Sequence, residues 1–205
     1  MGLTMIELVI ATTNQGKLRE IKELLQDLPI DVTSLKDYPE APEIIEDGKT
    51  FRANAEKKAL TIAKFTGKLT MGEDSGLEVD ALNGAPGIYS ARFSGEGAND
   101  KKNNLKLLRS LRGIPMPERK ANYHCCAVLA SNGKVETVAH GRCDGLIAER
   151  SRGENGFGYD PLFFLPQYNK TFGELEPAIK AKISHRAKAL GKIRKYLLKY
   201  CECRR

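Results

Sequence analysis

The sequence predicts an α/β fold, and three features carry the prediction. An apolar run at 6–11 gives way to Leu18, Ile21, Leu24, Leu25 and Leu28 at helical spacing. A second extended run, 30–35, is followed by Phe51, Ala55, Ile62 and Phe65 on one helical face. Farther on, 123–131 and 134–142 are rich in strand-forming residues and are joined by Asn132-Gly133, the strongest short-range hairpin signal. With 205 residues, 41% of them hydrophobic, the chain is expected to form one domain, or one domain with two lobes, around a substantial core.

Composition narrows the functional classes. Thirty-three basic residues against 26 acidic ones leave a net charge of +7, without a long block of one sign. Such a field permits attraction of nucleotides or nucleic acid without specifying either. Cys125, Cys126, Cys143, Cys201 and Cys203 are odd in number and contain no C-x-x-C pair, which argues against a disulfide framework and a zinc site. Cys201 and Cys203 are read as surface thiols, since a metal would need more ligands. No apolar stretch approaches the roughly 20 residues that span a bilayer. Residues 1–10 carry Glu7, lack a basic leader and run straight into patterned sequence, so no signal peptide is expected. These features together predict a soluble, reduced, cytoplasmic protein. The basic segment 192–205 reads as a helix with a solvated face and favourable charge at its C-terminal dipole.

In chain order, the first candidate site is the turn Thr12, Thr13, Asn14, Gln15, Gly16 and Lys17. A polar turn from a strand into a helix presents backbone N–H groups to an anion, and Thr12, Asn14 and Lys17 add side-chain donors. The spacing of a Walker loop is missing. Simple N-capping by Thr or Asn, with Lys17 in solvent, accounts for the same residues. Pro29 ends the first helix, and Pro39 and Pro42 keep the stretch after 30–35 irregular. Asp47 and Thr50 offer caps for the next helix, and Gly67 supplies its stop. Asn54 and Lys58 stand four apart and can point the same way. Glu46, just ahead, lies on a loop able to swing towards Asp74, or is an ordinary surface acid.

A short strand at 69–71 is expected to deliver Glu73 and Asp74 at its carboxyl end, where open α/β sheets bind ligands. Through 72–94 the acids Glu73, Asp74, Glu78 and Asp80 alternate with glycines, with Arg92 as the strong base. That composition is poor material for a core and suits Mg²⁺, which takes one or two protein carboxylates plus water and phosphate oxygens. A solvated acidic turn capping a strand fits the residues equally well. The segment 99–112 reads as a helix with Leu105, Leu108 and Leu111 on its apolar face. His124 and His140 lie on the hairpin strands and are read as structural, and Cys125 and Cys126 as small buried hydrophobes.

In Gly153-Glu154-Asn155-Gly156-Phe157-Gly158-Tyr159-Asp160-Pro161 the glycines let backbone approach a flat ligand, on which Phe157 or Tyr159 can stack. A glycine-rich turn into a strand is the plainer reading. Lys180 precedes Ile183-Ser184-His185-Arg186, which opens a helix with Ala187, Leu190, Ile193 and Leu197 on its apolar side. Ser184 is the expected N-cap, with His185 and Arg186 as donors from the first turn or as solvent-facing residues.

Taken together, Thr-Thr-Asn-Gln-Gly-Lys, Glu-Asp-Ser-Gly-Leu-Glu-Val-Asp-Ala-Leu-Asn-Gly-Ala-Pro-Gly-Ile-Tyr-Ser-Ala-Arg, Gly-Phe-Gly-Tyr-Asp-Pro-Leu-Phe and Ile-Ser-His-Arg-Ala-Lys-Ala-Leu closely resemble the inosine triphosphate pyrophosphatase family, in its bacterial dITP/XTP branch. The resemblance covers about 6–198. It implies a long, mixed, twisted sheet flanked by helices, forming one domain over 1–205 with two lobes and a nucleotide cleft between them. It also implies a homodimeric, Mg²⁺-dependent enzyme that partners neither nucleic acid nor membrane. Carried over by position, Thr12, Thr13, Asn14, Gln15, Gly16 and Lys17 hold the triphosphate. Asp74 is the catalytic carboxylate and a Mg²⁺ ligand, Glu46 the more distant ligand, and Ser75 a substrate contact. Phe157, Gly158, Tyr159, Asp160, Lys180, His185 and Arg186 line the base and sugar site. Two departures stand out: Glu73 where many members have Asp, which leaves its metal role open, and Thr13 where many have Gly or Ser.

The implied reaction hydrolyses the α–β phosphoanhydride of purine triphosphates carrying non-standard bases (ITP, dITP, XTP), releasing a monophosphate and pyrophosphate. Two competitors stand beside it. A nucleic-acid-binding module would use the positive charge, but the RRM consensus and the KH-type GXXG loop are missing. A phosphatase acting on the same nucleotide would release orthophosphate instead.

Overall fold

Period-two alternation builds the first strand, β1 (Ile6–Ile10), in which Leu8 and Ile10 join one buried cluster and Val9 another. The fold is seen in a computed structural model that describes residues 5–202. Residues 1–4 and Cys203 therefore lie outside the described residues, as does the tip of the basic 192–205 segment. After β1 come α1 (Gln15–Leu25), β2 (Ile30–Ser34), α2 (Phe51–Thr66), β3 (Leu69–Val79) and α3 (Asp100–Ser110). The chain continues through β4 (Lys120–Ser131), β5 (Lys134–Ile147), β6 (Phe163–Leu165), β7 (Lys170–Thr171), α4 (Pro177–Ile183) and α5 (His185–Glu202). The strands hydrogen-bond in the order β2-β1-β3-β4-β5-β6-β7. β1 pairs in parallel with β2 and β3, whereas β5–β6 and β6–β7 are antiparallel, so the sheet is mixed, as expected.

The chain divides into two compact units. The first takes the chain up to Asp74, then Cys125–Gly141, then α5 from Ala187 onward. Its main core sets Leu8, Ile10 and Met71 against Ile21 and Leu25 of α1 and Leu190, Ile193 and Leu197 of α5. On the opposite face, Val9 and Ala11 pack with Ile62 of α2. The second unit comprises Ser75–His124 and Arg142–Arg186, around Leu77, Leu107, Tyr123, Phe163 and Phe172.

Local signals work where they are local. Thr50 caps α2 by accepting from the Ala53 N–H, and Gly67 ends it at φ +67°. Asp47, the other candidate cap, is spent on Lys57 instead. Asn132 and Gly133 both have positive φ, as a type I′ hairpin turn requires. Other expectations need correction. Phe65 is exposed rather than on the buried face of α2. On α3 Leu107 is buried, Leu111 just past the helix is buried as expected and Leu108 packs half-buried on the same core, while Leu105 is exposed; of the expected 105–108–111 row only Leu105 faces away, and Leu107 takes its place. Cys201 is buried on α5 against the first unit's core, not a surface thiol.

Candidate active site

β3 overturns the expected short strand with acids at its end. It runs eleven residues, and Glu73 and Asp74 lie in its middle, both buried. The register explains why the site still lies at a strand end. β1 stops at Ile10, opposite Met71, so the backbone from Gly72 onward extends past the carboxyl end of β1. Gly72 is what lets α2 close down here. A Cβ at this position would meet the Ala55 carbonyl oxygen at 2.1 Å and the Ala59 nitrogen at 2.6 Å. Close approach carries Asn54 and Lys58, one turn apart on α2, onto Asp74.

The resulting cluster is dense. Asn54 donates through Nδ2 to Asp74 Oδ2 at 3.1 Å and accepts at Oδ1 from the Gly48 N–H at 2.8 Å. Lys58 Nζ stands 3.4 Å from Asp74 Oδ1 and 2.8 Å from Glu46 Oε1, and donates to the Glu73 carbonyl at 3.2 Å. Glu46 thus reaches the site through a shared lysine. Burial pushes the Asp74 carboxyl above its ordinary value; Lys58 and Lys17 pull it down, Glu46 raises it, and the Asn54 hydrogen bond opposes the rise.

The 12–17 turn is both a helix cap and a support. Asn14 caps α1 by accepting from the Lys17 N–H, Thr12 Oγ1 accepts from the Asn14 N–H, and Gln15 Nε2 donates to the Thr13 carbonyl. Gly16 follows Gln15 in the first turn of α1. Lys17 is not in solvent: its Nζ lies 2.8 Å from Glu73 Oε2, with side chains 15% and 1% exposed. The Cys125 thiol donates to the other Glu73 oxygen at 3.2 Å. Burial pushes the neighbouring Cys126 thiol up to about 12, which favours its protonated form.

Asp74 and Glu46, bridged by Lys58, offer hard carboxylate oxygens of the kind Mg²⁺ takes. Among the described residues no group of three or more His, Cys, Asp or Glu side chains is gathered to cage an ion. Mg²⁺ needs no such cage, because water and substrate phosphates usually complete its shell. Glu78 and Asp80 belong to the second unit, with Asp80 exposed in a short turn.

In the second unit the 153–161 turn separates its two aromatics. Tyr159 is buried and donates its hydroxyl to the Ser90 carbonyl at 2.8 Å, so it belongs to the core and offers no stacking face. Phe157 is half-buried, with Lys180 Nζ 4.9 Å and the Arg186 guanidinium 5.6 Å from its ring centre. Asp160 accepts at Oδ2 from the Phe157 N–H at 2.8 Å and from Lys180 Nζ at 2.6 Å. Gly158 N–H is held by Asp100. His185 and Arg186 are buried rather than solvent-facing. The His185 ring stacks on Tyr123, 4.5 Å between centres and 11° from parallel, and Arg186 Nη2 donates to Ser75 Oγ at 3.0 Å. Ser184 stands between α4 and α5, where it ends α4. Sequence reasoning missed Asp100 and Asn104, whose side chains hold Gly158. Only their i,i+4 spacing on a capped helix hints at a shared task.

The protein is thus of the mixed α/β class, with a buried carboxylate flanked by lysines in its first unit and an aromatic turn flanked by cations in its second. The Ham1 family model matches residues 8–196, and the chain belongs to that family. It is 52% identical over 188 residues to the dITP/XTP pyrophosphatase of Desulforamulus reducens, covering 91% of this chain and 93% of that protein. Identity to the dITP/XTP pyrophosphatase of Shouchella clausii is also 52%, over 186 residues, with the same coverage of each chain. Among solved structures, a HAM1 protein from Coxiella burnetii superposes with a TM-score of 0.86 at 40% identity, covering 95% of this chain and all of that one. The Staphylococcus aureus Ham1 protein gives 0.84 at 39%, covering 95% and 99%. The family reading drawn from four motifs is thereby borne out.

Proposed function

We propose that this chain hydrolyses non-standard purine nucleoside triphosphates, namely ITP, dITP and XTP, to the monophosphate and pyrophosphate, clearing them before a polymerase incorporates them. The observation that carries the reading is the Asp74 cluster: a buried carboxylate with a raised pKa, aimed by Asn54 and flanked by Lys58. A carboxylate so tuned is a better base than an exposed one and accepts a proton from the attacking water. Lys17 and Lys58 place positive charge where negative charge develops on the phosphates. The 12–17 turn holds the triphosphate, with Thr12, Thr13, Asn14, Gln15, Gly16 and Lys17 in contact. Asp74 and Glu46 hold Mg²⁺, which when bound neutralises phosphate oxygens and orients the leaving group.

Ser75, Phe157, Gly158, Tyr159, Asp160, Lys180, His185 and Arg186 form the sugar and base site. Their burial divides the roles: Phe157 offers the ring face, His185 and Arg186 the donors, while Tyr159 shapes the turn from within. Asp160 acts by folding the turn and seating Lys180. The chain acts as one two-lobed domain, as a homodimer in the cytoplasm, without nucleic acid or membrane partners. No helix among the described residues is long and apolar enough to cross a membrane.

The test is a screen of nucleoside triphosphates with Mg²⁺, assayed separately for pyrophosphate and orthophosphate. Pyrophosphate from ITP and XTP is the expected outcome. Orthophosphate as the first product moves the reaction to the γ-phosphate, and salt-sensitive RNA binding without turnover makes the chain a binding module.

A further inference from the structure

Both backbone polar groups of Gly158 are held by side chains of one helix. Its N–H donates to Asp100 Oδ2 at 2.7 Å, and its carbonyl accepts from Asn104 Nδ2 at 3.0 Å. Asp100 and Asn104 are four residues apart on α3 and so share a face. The helix is itself well fixed. Asn99 caps it, Leu107 lies in the core, and Asn103 donates to the Ala91 carbonyl at 3.0 Å while accepting from the Ser94 N–H at 2.8 Å.

Two further facts separate this clamp from ordinary loop packing. Gly158 has φ +63°, and a Cβ built on it would meet nothing within 4 Å. Gly158 itself thus packs no side chain against the protein, and the two hydrogen bonds from α3 hold its backbone beside the Asp160 bond to the Phe157 N–H. In addition, turning Nδ2 of Asn104 towards Gly158 leaves its Oδ1 buried without a hydrogen-bond partner among the described residues. A buried, unsatisfied acceptor costs stability that a leucine of similar size would not. The asparagine makes sense if the carbonyl it holds matters more than that cost.

The residue beside the clamp is Phe157, whose ring lies near Lys180 and Arg186. We propose that Asp100 and Asn104 are positioning residues for base selectivity: by fixing Gly158 they set the Phe157 ring at the height at which a purine also meets the His185 and Arg186 donors. The inference rests on the reading of Phe157 as the base contact. Neither clamp residue touches the substrate. A site held by a supporting shell loses selectivity when that shell loosens, even with every contacting residue present.

Steady-state kinetics on ITP, GTP and ATP, read as pyrophosphate release, test the clamp in Asp100→Ala, Asn104→Ala, Asp100→Asn and Phe157→Ala. Asp100→Ala and Asn104→Ala are each expected to raise KM for ITP about three- to tenfold, the scale of one hydrogen bond, and to narrow the ITP to ATP ratio of kcat/KM. Asp100→Asn retains an oxygen that accepts from the Gly158 N–H and should stay within about twofold of the parent. Asp100 is exposed, so its alanine variant is expected to fold even where Asn104→Ala does not. A merely structural role would lower kcat with the folded fraction and leave KM and the base ratio in place, and that result overturns the proposal. Phe157→Ala separates the two ideas. If it shifts the ratio and the clamp variants do not, the clamp is wrong; if Phe157→Ala itself shifts nothing, the base contact on which the clamp depends is wrong.

Discussion

Asn54 and Asp74, twenty residues apart in sequence, meet inside the protein with Nδ2 donating to Oδ2 at 3.1 Å, and both side chains are buried. The other end of the amide holds the Gly48 N–H, close to Glu46, so one side chain aims the carboxylate and anchors the loop that brings the second acid. Asn54→Ala should lower kcat about tenfold or more, the scale of a hydrogen bond to a charged group. Unchanged kcat in a folded variant would show that Asp74 needs no such aiming.

Asp74→Asn should lower turnover by at least about 100-fold while leaving the fold intact. The raised pKa adds a stability consequence. A carboxyl whose folded pKa exceeds its unfolded value binds its proton more readily in the folded state. Its favourable contribution is complete below the unfolded pKa and is lost as pH rises through the folded one. Without divalent metal, Asp74→Asn should therefore melt at a higher temperature than the parent at neutral pH. The gap should shrink as pH falls into the carboxylate range, a trend that melting curves in a chelator will reveal or refute.

Lys17 stands at a helix start, where its charge is expected to face solvent or ligand and its loss to cost little stability; its contact with buried Glu73 changes the second expectation. Removing it strands a buried carboxylate, and breaking a buried pair typically costs about 3 kcal/mol or more. Lys17→Met should lose stability as well as activity, and the double variant with Glu73→Gln should regain stability but not turnover. Additive losses in the double variant would argue that the two side chains do not act as a pair.

Gly72→Ala places a methyl group against the backbone of α2, at 2.1 Å from the Ala55 oxygen. Backbone cannot yield as a flexible side chain does, so the helix must withdraw and take Asn54 and Lys58 with it. A large drop in melting temperature together with lost activity is expected. A stable, active Gly72→Ala protein would mean that close helix approach is not what assembles the cluster.

Selectivity should follow hydrogen-bond polarity at the purine 6-position. Inosine and xanthine offer a 6-oxo acceptor beside an N1–H donor, whereas adenine reverses both, and buried donors left unpaired can reject a substrate by about 10⁴-fold. ITP and XTP should lead, GTP should follow because only its 2-amino group distinguishes it, and ATP should come last. Arg186→Ala should narrow the gap between ITP and ATP. Comparable kcat/KM for ATP and ITP in the parent would remove His185 and Arg186 from base reading.

By itself the sequence determined what a few neighbouring residues decide: the Thr50 cap, the Gly67 stop, the Asn132-Gly133 turn, the apolar run of β1 and the four motifs that identify the family. Each of these depends on interactions within one turn or one pleat, so the residues carry them wherever they fold. Tertiary structure alone decided that Glu73 and Asp74 sit mid-strand and buried, that Lys17 pairs with Glu73, that Tyr159 is core while Phe157 is not, and that Leu107 rather than Leu105 faces inward. Those outcomes turn on partners far along the chain, such as Tyr159 on the Ser90 carbonyl at a separation of 69 residues, and on how closely Gly72 lets a helix approach a strand. Local periodicity cannot encode them, because the same acidic and glycine-rich residues suit an exposed turn until an overlying helix takes water away and supplies a lysine and an amide in its place.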